Sequence, residues 1–236
     1  MVFIPVMLNT DDGYVLIVGG GSVGLRKAKK LIEAGCHVTV VSEKFDDGFK
    51  GLGASLIERR IAGPADISNL LSDCSMAVIA VGDPRLSESI ARYCRENRIL
   101  YNRVDAINSQ VIFPAFSRSG ELILSVSTSG ASPSMAKYVL RQISRNMELY
   151  ARAVEILGIF RKRLGDMAQD EKRDLFESIL DDETFWQTVE TGSSLDVLMY
   201  LDKMISRGGS NGHVGGEGYE AEAQQACSGQ DIAATR

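Results

Sequence analysis

Up to Asp105, short apolar runs alternate with longer amphipathic stretches. Tyr14–Val18, His37–Val41 and Met76–Val81 are apolar throughout and rich in β-branched residues, the pattern of strands covered on both faces in a parallel sheet. Between them, Ser22–Ala34 and Pro84–Asn97 repeat apolar residues at helical spacing (Val23 and Leu31; Leu86, Ile90 and Tyr93), and Gly35 stands where a helix would be C-capped. This alternation predicts an α/β fold of βαβ units wound into a doubly wound parallel sheet over 1–110.

Beyond Asp105 the pattern changes. "SQVIFPAFSRSGELILSVSTSG" reads as two strands joined at Ser119-Gly120, a hairpin that a simple βαβ repeat does not contain. Its apolar strands have no evident partner in the first domain, which predicts a dimer. Ser132-Pro133, an N-cap Ser before a first-turn Pro, opens a region that is wholly helical to Ser206. The expected organisation is a nucleotide-binding domain over 1–110, a hairpin and helix over 111–146, a helical domain over 147–206 and a disordered tail over 207–236. The tail has six glycines between Gly208 and Gly218 and too little aliphatic periodicity to bury a core.

Composition narrows the function classes. At 236 residues, 44% hydrophobic and with a formal charge of -5, the chain reads as a soluble protein and not as a nucleic-acid binder. Cys36, Cys74, Cys94 and Cys227 show no C-x-x-C pair, so they read as free thiols in a reducing cytoplasm rather than as zinc ligands or a disulfide framework. "VFIPVML" is too short and uncharged in front to read as a signal peptide, and no apolar run reaches the length of a membrane span.

The chemistry starts at "YVLIVGGGSVGLRKA". Gly19-x-Gly21-x-x-Gly24 follows a predicted strand and opens a predicted helix, the context in which this spacing receives a dinucleotide pyrophosphate, and it makes the first domain Rossmann-type. Gly19, Gly21, Ser22, Val23 and Gly24 are therefore assigned to the cofactor. Glu43, in "VTVVSE", lies about twenty residues further on, where the ribose-binding carboxylate is expected. A carboxylate there favours NAD over NADP by repelling a 2′-phosphate; the neighbouring Ser42 is the other candidate ribose contact. Val81, Gly82 and Asp83 should line the same crevice, although Asp83 also reads as the N-cap of the helix begun by Pro84.

Taken together, "GGGSVGLRKA", "NRVDA" at Asn102–Ala106, "FPAFSRSGELILSVSTSGASP" at Phe113–Pro133 and the helical region that follows resemble the precorrin-2 dehydrogenase family, the dehydrogenase/ferrochelatase part of sirohaem synthases. The resemblance runs from about Phe3 to about Ser206. It implies oxidation of precorrin-2 to sirohydrochlorin, with NAD as hydride acceptor, on a homodimer. It also implies that Asp105, the Asp of the N-x-V-D motif, is the catalytic residue, with Asn102 of the same motif facing the substrate. A carboxylate at a strand end near the nicotinamide could take the proton that must leave with the hydride.

Precorrin-2 carries eight carboxylates, so its site should be positive. Between Lys137 and Arg163 seven basic residues stand against Glu148 and Glu155. Lys137, Arg141 and Arg145 recur at four-residue spacing and should share one helix face. Lys137 and Arg141 are the candidate contacts, together with the hydroxyl-rich loop of Ser127, Thr128, Ser129 and Ser132 at the helix start. The family also includes enzymes that insert iron, but His37 and His213 are the only histidines, so no metal site is expected and a His-based chelatase is not. Asp105 could still accept pyrrole protons in such a step. No methyltransferase domain is expected within these 236 residues. A non-catalytic NAD-sensing module would explain the glycines and Glu43 but gives the Asp105 motif no purpose.

Overall fold

A computed structural model describes residues 3–106 and 109–208. The chain divides into two compact units: Met1–Ala115 with Val126–Tyr138, and Phe116–Ser125 with the chain from Val139 onward. Of the expected disordered tail, positions 209–236 lie outside the described residues, His213 and Cys227 among them.

In the first unit β1 (Val15–Gly20), β2 (Val38–Phe45), β3 (Ser55–Glu58), β4 (Met76–Ile79) and β5 (Tyr101–Arg103) form one parallel sheet, ordered β3-β2-β1-β4-β5. The winding direction reverses between β1 and β4, and the ends of those two strands open the crevice where such sheets bind ligands. β1 is buried at every position because both faces of the sheet are covered. From α1 (Ser22–Glu33), Ala28 and Leu31 pack with Val15, Ile17, Val40 and Val78. From α2 (Ser68–Asp73) and α3 (Pro84–Glu96), Leu71, Ile90 and Ala91 pack with Leu16, Val18 and Ile79. Each fully buried aliphatic side chain contributes about 1.5–3 kcal/mol.

The expected caps form. α1 ends in a Schellman motif: Gly35, at φ +90°, donates to the Ile32 carbonyl at 2.9 Å and Cys36 to that of Leu31 at 2.9 Å. α3 ends in the same way with Ile99 donating to Cys94 at 2.8 Å, but there Arg98 takes the left-handed conformation at φ +58°.

Two elements of this unit have no strong sequence signature. β3 is an edge strand whose residues are mostly exposed, Leu56 by 43%, so it shows no continuous apolar run. α2 is too short for a helical period to show. Two boundaries also move. β2 continues to Phe45, so Glu43 lies within the strand and not at its end. The segment 111–114, expected to be hairpin strand, instead joins the sheet unit: Val111 donates to the Tyr101 carbonyl at 3.0 Å and accepts from Asn102 Nδ2 at 2.8 Å. Pro114, with no N–H, cannot continue a ladder there.

The hairpin is shorter than its apolar sequence, β6 (Ala115–Ser119) pairing with β7 (Leu122–Val126). Its turn falls on Gly120-Glu121, one residue later than the sequence suggests, because Gly120 supplies the positive φ of +54°. The helical region comprises α4 (Pro133–Ile143), α5 (Met147–Arg163), α6 (Gln169–Leu180), α7 (Glu183–Thr191) and α8 (Ser194–Gly208). Ile156, Phe160, Ile179, Phe185, Val189 and Leu201 form the second unit's core.

Candidate functional site

The three motif glycines are required for three different reasons. At Gly19, φ is +118° and a Cβ would lie 2.4 Å from the Ala80 carbonyl oxygen, so only glycine lets the end of β1 pass the end of β4. At Gly24 a Cβ would lie 2.1 Å from the Gly19 oxygen, so α1 packs on its own strand only because that atom is missing. Gly21 differs. It is the N-cap of α1 with φ −80°, and no atom lies within 4 Å of where its Cβ would be. The space left by its missing side chain opens to no protein atom. No side chain caps α1 and its first turn holds no acidic residue, so the helix end offers its N–H groups and positive dipole end without a competing carboxylate.

These features fit a dinucleotide pyrophosphate. Ser22 is exposed and Val23 half-buried at the same helix start. Ser42 approaches the loop from β2, its Cβ 3.0 Å from where a Cβ on Gly20 would stand. Glu43 is exposed on β2. Val81 and Gly82 follow β4, with open space at Gly82. The Asp83 carboxylate takes its structural role: it caps α3 by accepting from Arg85 N–H at 2.8 Å and Leu86 N–H at 3.5 Å.

At the end of β5, Asp105 sits in a clamp. Arg103 donates to it twice, Nε to Oδ1 at 3.1 Å and Nη2 to Oδ2 at 3.0 Å. Ser87 Oγ, fully buried on α3, donates to Oδ1 at 3.0 Å. The third side of the guanidinium meets Glu88. These bonds, the Arg103 one foremost and against the opposing pull of desolvation, hold the Asp105 carboxyl below the usual carboxylate range. The clamp was not part of the sequence reading. A signal was present, since Arg103 is two residues before Asp105 and side chains two apart on an extended segment share a face.

Asn102 is buried on β5. Its Nδ2 donates to the Val111 carbonyl, and its buried Oδ1 has no hydrogen-bond partner among the described residues. Lys27 of α1 sits over the Phe113 ring, 4.3 Å from its centroid, and burial with help from Arg26 and Lys30 pushes its ammonium down to about 8.

The hydroxyl loop is ordered by its own side chains. Ser129 N–H donates to Ser127 Oγ at 3.1 Å, Ser132 N–H to Thr128 Oγ1 at 3.0 Å and Met135 N–H to Ser132 Oγ at 3.3 Å, the last being the expected cap of α4. Ser129 holds φ +52° and Gly130 φ +88°. Lys137 and Arg141 lie on α4, both exposed. Arg145 does not continue their row, because α4 stops at Ile143 and Arg145 falls in a 3₁₀ turn, Ser144–Asn146. Two further cations of the basic run serve the helical unit. Arg152 donates to the Val189 and Gly192 carbonyls, and Arg163 pairs with Asp202 at 3.8 Å. Among the described residues no group of three or more His, Cys, Asp or Glu is placed to hold a metal ion.

Residues 6–115 match a family model described as NAD(P)-binding. A precorrin-2 dehydrogenase of Methanosarcina barkeri is 30% identical over 196 residues, 78% of this chain and 85% of that one. A siroheme synthase of Escherichia coli is 26% identical over 207 residues, and the chain spans 45% of its length. Among solved structures, SirC, a precorrin-2 dehydrogenase, superposes with a TM-score of 0.64 at 22% identity, covering 85% of this chain and 100% of that one, which shows a shared fold.

Proposed function

Because the chain belongs to the precorrin-2 dehydrogenase family, we propose that it oxidises precorrin-2 to sirohydrochlorin in tetrapyrrole biosynthesis. The observation that carries this reading is the pairing of an open, uncapped glycine loop at β1 with a clamped carboxylate at the end of β5, in one sheet unit. NAD, when bound, supplies the acceptor for the hydride and its two electrons. The chain's own residues do the rest. Gly19, Gly21, Ser22, Val23 and Gly24 receive the pyrophosphate, with Ser42 and Glu43 toward the ribose and Val81, Gly82 and the Asp83 backbone along the crevice. Asp105 takes the one proton that leaves the macrocycle with the hydride, so that substrate and NAD⁺ become product, NADH and H⁺. Asn102, in the same motif on β5, faces the substrate. Ser127, Thr128, Ser129, Ser132 and Lys137 meet the substrate's carboxylates, with Arg141 one turn further along α4.

We further propose a cytoplasmic homodimer, organised as a cofactor domain over 1–110, a hairpin-and-helix dimerisation segment over 111–146 and a helical domain over 147–206. Support comes from the two-stranded sheet and from large apolar side chains exposed around it and along α4: Ile123 at 39%, Met135 at 51% and Ile143 at 47%. Cys36, Cys74 and Cys94 are free thiols, as a reducing compartment keeps them. No helix among the described residues is long and apolar enough to cross a membrane. The test mixes protein, NAD and precorrin-2 anaerobically. NADH and the sirohydrochlorin spectrum should appear in equal amounts, and NAD binding without turnover would favour a sensing module.

A further inference from the structure

We propose that Arg103 is the positioning residue of the site: its guanidinium, fixed between Glu88 and Asp105, aims the Asp105 carboxylate and leaves Oδ2 as the oxygen that meets the substrate. The inference rests on the reading above that Asp105 takes the proton. Each carboxylate oxygen has about two lone-pair sites. Oδ1 is filled, by Ser87 Oγ and Arg103 Nε, whereas among the described residues Oδ2 holds only Arg103 Nη2. One direction at Oδ2 therefore stays open, and the side chain is 30% exposed.

Arg103 is itself held in place. Its side chain is only 9% exposed, its Nη1 meets Glu88, and its backbone N–H donates to the buried Ser109 Oγ at 2.8 Å, which donates back to the Arg103 carbonyl at 3.3 Å. Ser87 is fixed from the other side, its N–H donating to the Asp83 carbonyl at 2.9 Å in the first turn of α3. The clamp thus joins β5 to α3 and sets a carboxylate in one orientation, which is what proton transfer at a defined ring position requires.

The charged groups facing Asp105 among the described residues are Arg103 from its own strand end and Glu88 from α3, with Arg95 of α3 behind them, its Nη2 bound to Tyr101 Oη at 3.0 Å. Arg103 outweighs the opposing pull of desolvation because it binds Asp105 through two nitrogens, and with Ser87 it lowers the carboxyl's proton affinity. A carboxyl depressed in the folded state stabilises the fold above its ordinary value and loses that contribution as pH falls through the folded one. The same clamp keeps Asp105 ionised at neutral pH and weakens it as a base, so its strength as an acceptor depends on position.

The test uses the full-length protein with ¹³C-labelled aspartate and three variants, Arg103→Gln, Arg103→Lys and Ser87→Ala. Without substrate, the Asp105 carboxyl of Arg103→Gln should titrate about one pH unit higher than in the wild type. Arg103→Lys should lie in between, because it keeps the charge and loses the fork. Ser87→Ala should shift upward less than Arg103→Gln and carries the test if Arg103→Gln does not fold. In turnover, Arg103→Gln should lose roughly tenfold or more in kcat with NAD affinity unchanged, and Arg103→Lys should restore part of it. An unshifted Asp105 titration in folded Arg103→Gln and Ser87→Ala overturns the clamp, as does undiminished kcat in Arg103→Gln. Shifted titrations in a protein whose wild type never oxidises precorrin-2 overturn the enzymatic reading and leave the clamp standing.

Discussion

Arg103 in the sheet unit and Arg152 in the helical unit are alike in type and both half-buried, yet they serve different ends. Arg103 binds two carboxylates, Glu88 and Asp105, at a strand end beside the ligand crevice. Arg152 binds two backbone carbonyls, Val189 and Gly192, closing the end of α7. The first arrangement neutralises the guanidinium and leaves the Asp105 carboxylate, at Oδ2, for a ligand. The second spends its hydrogen-bonding capacity on orphan carbonyls at a helix end, as terminal residues of helices require. A basic residue is thus not by itself evidence for an anionic substrate: Arg152, within the basic run, is engaged by backbone carbonyls.

The largest test of this contrast is Asp105→Asn, which keeps the shape and the capacity to accept from Ser87 while removing the charge. Turnover of precorrin-2 should fall about 10²–10⁴-fold, with NAD affinity unchanged and little loss of thermal stability. Activity within a few-fold of wild type would remove Asp105 from the chemistry.

Next in size are the glycines. Gly24→Ala should destabilise the sheet unit by about 3 kcal/mol, read as a lower urea midpoint, because its Cβ would meet the Gly19 carbonyl oxygen at 2.1 Å. Gly21→Asp should leave that midpoint nearly unchanged and abolish NAD binding by calorimetry, since the side chain enters open space and places a carboxylate where the pyrophosphate is expected. Equal loss of stability in both variants would mean that the loop serves packing alone.

Arg152→Met should cost about 2 kcal/mol by stranding the two carbonyls, while turnover at a temperature where the protein stays folded remains within a few-fold of wild type. A kinetic defect without a stability defect would break the comparison by giving Arg152 the role of Arg103. The smallest effect expected is a gain. Arg98→Gly relieves a left-handed residue at the end of α3, offset by the greater freedom of glycine in the unfolded chain, and should stabilise by about 0.5 kcal/mol in the same urea assay.

Much of the sheet unit was legible in the sequence because its determinants are local. Continuous apolar runs mark strands covered on both faces, and Gly35 and Ser132-Pro133 mark helix ends through bonds made within a few residues. The glycine motif was legible for the same reason: turn, open N-terminus and strand contact all lie between Ile17 and Gly24 except for the approach of Ala80. The sequence therefore determined the doubly wound unit, the glycine loop after β1 and the motif containing Asp105. Tertiary structure alone decided which partners the charged side chains found. Ser87 and Glu88 reach Asp105 and Arg103 across α3 and β5, and Arg152 reaches carbonyls nearly forty residues away in the chain. Neither contact leaves a period or a spacing in the sequence. Each depends on where two elements are brought together by burying apolar faces elsewhere, since the hydrophobic effect fixes the packing without direction and the hydrogen bonds then select among the polar groups it has placed within reach.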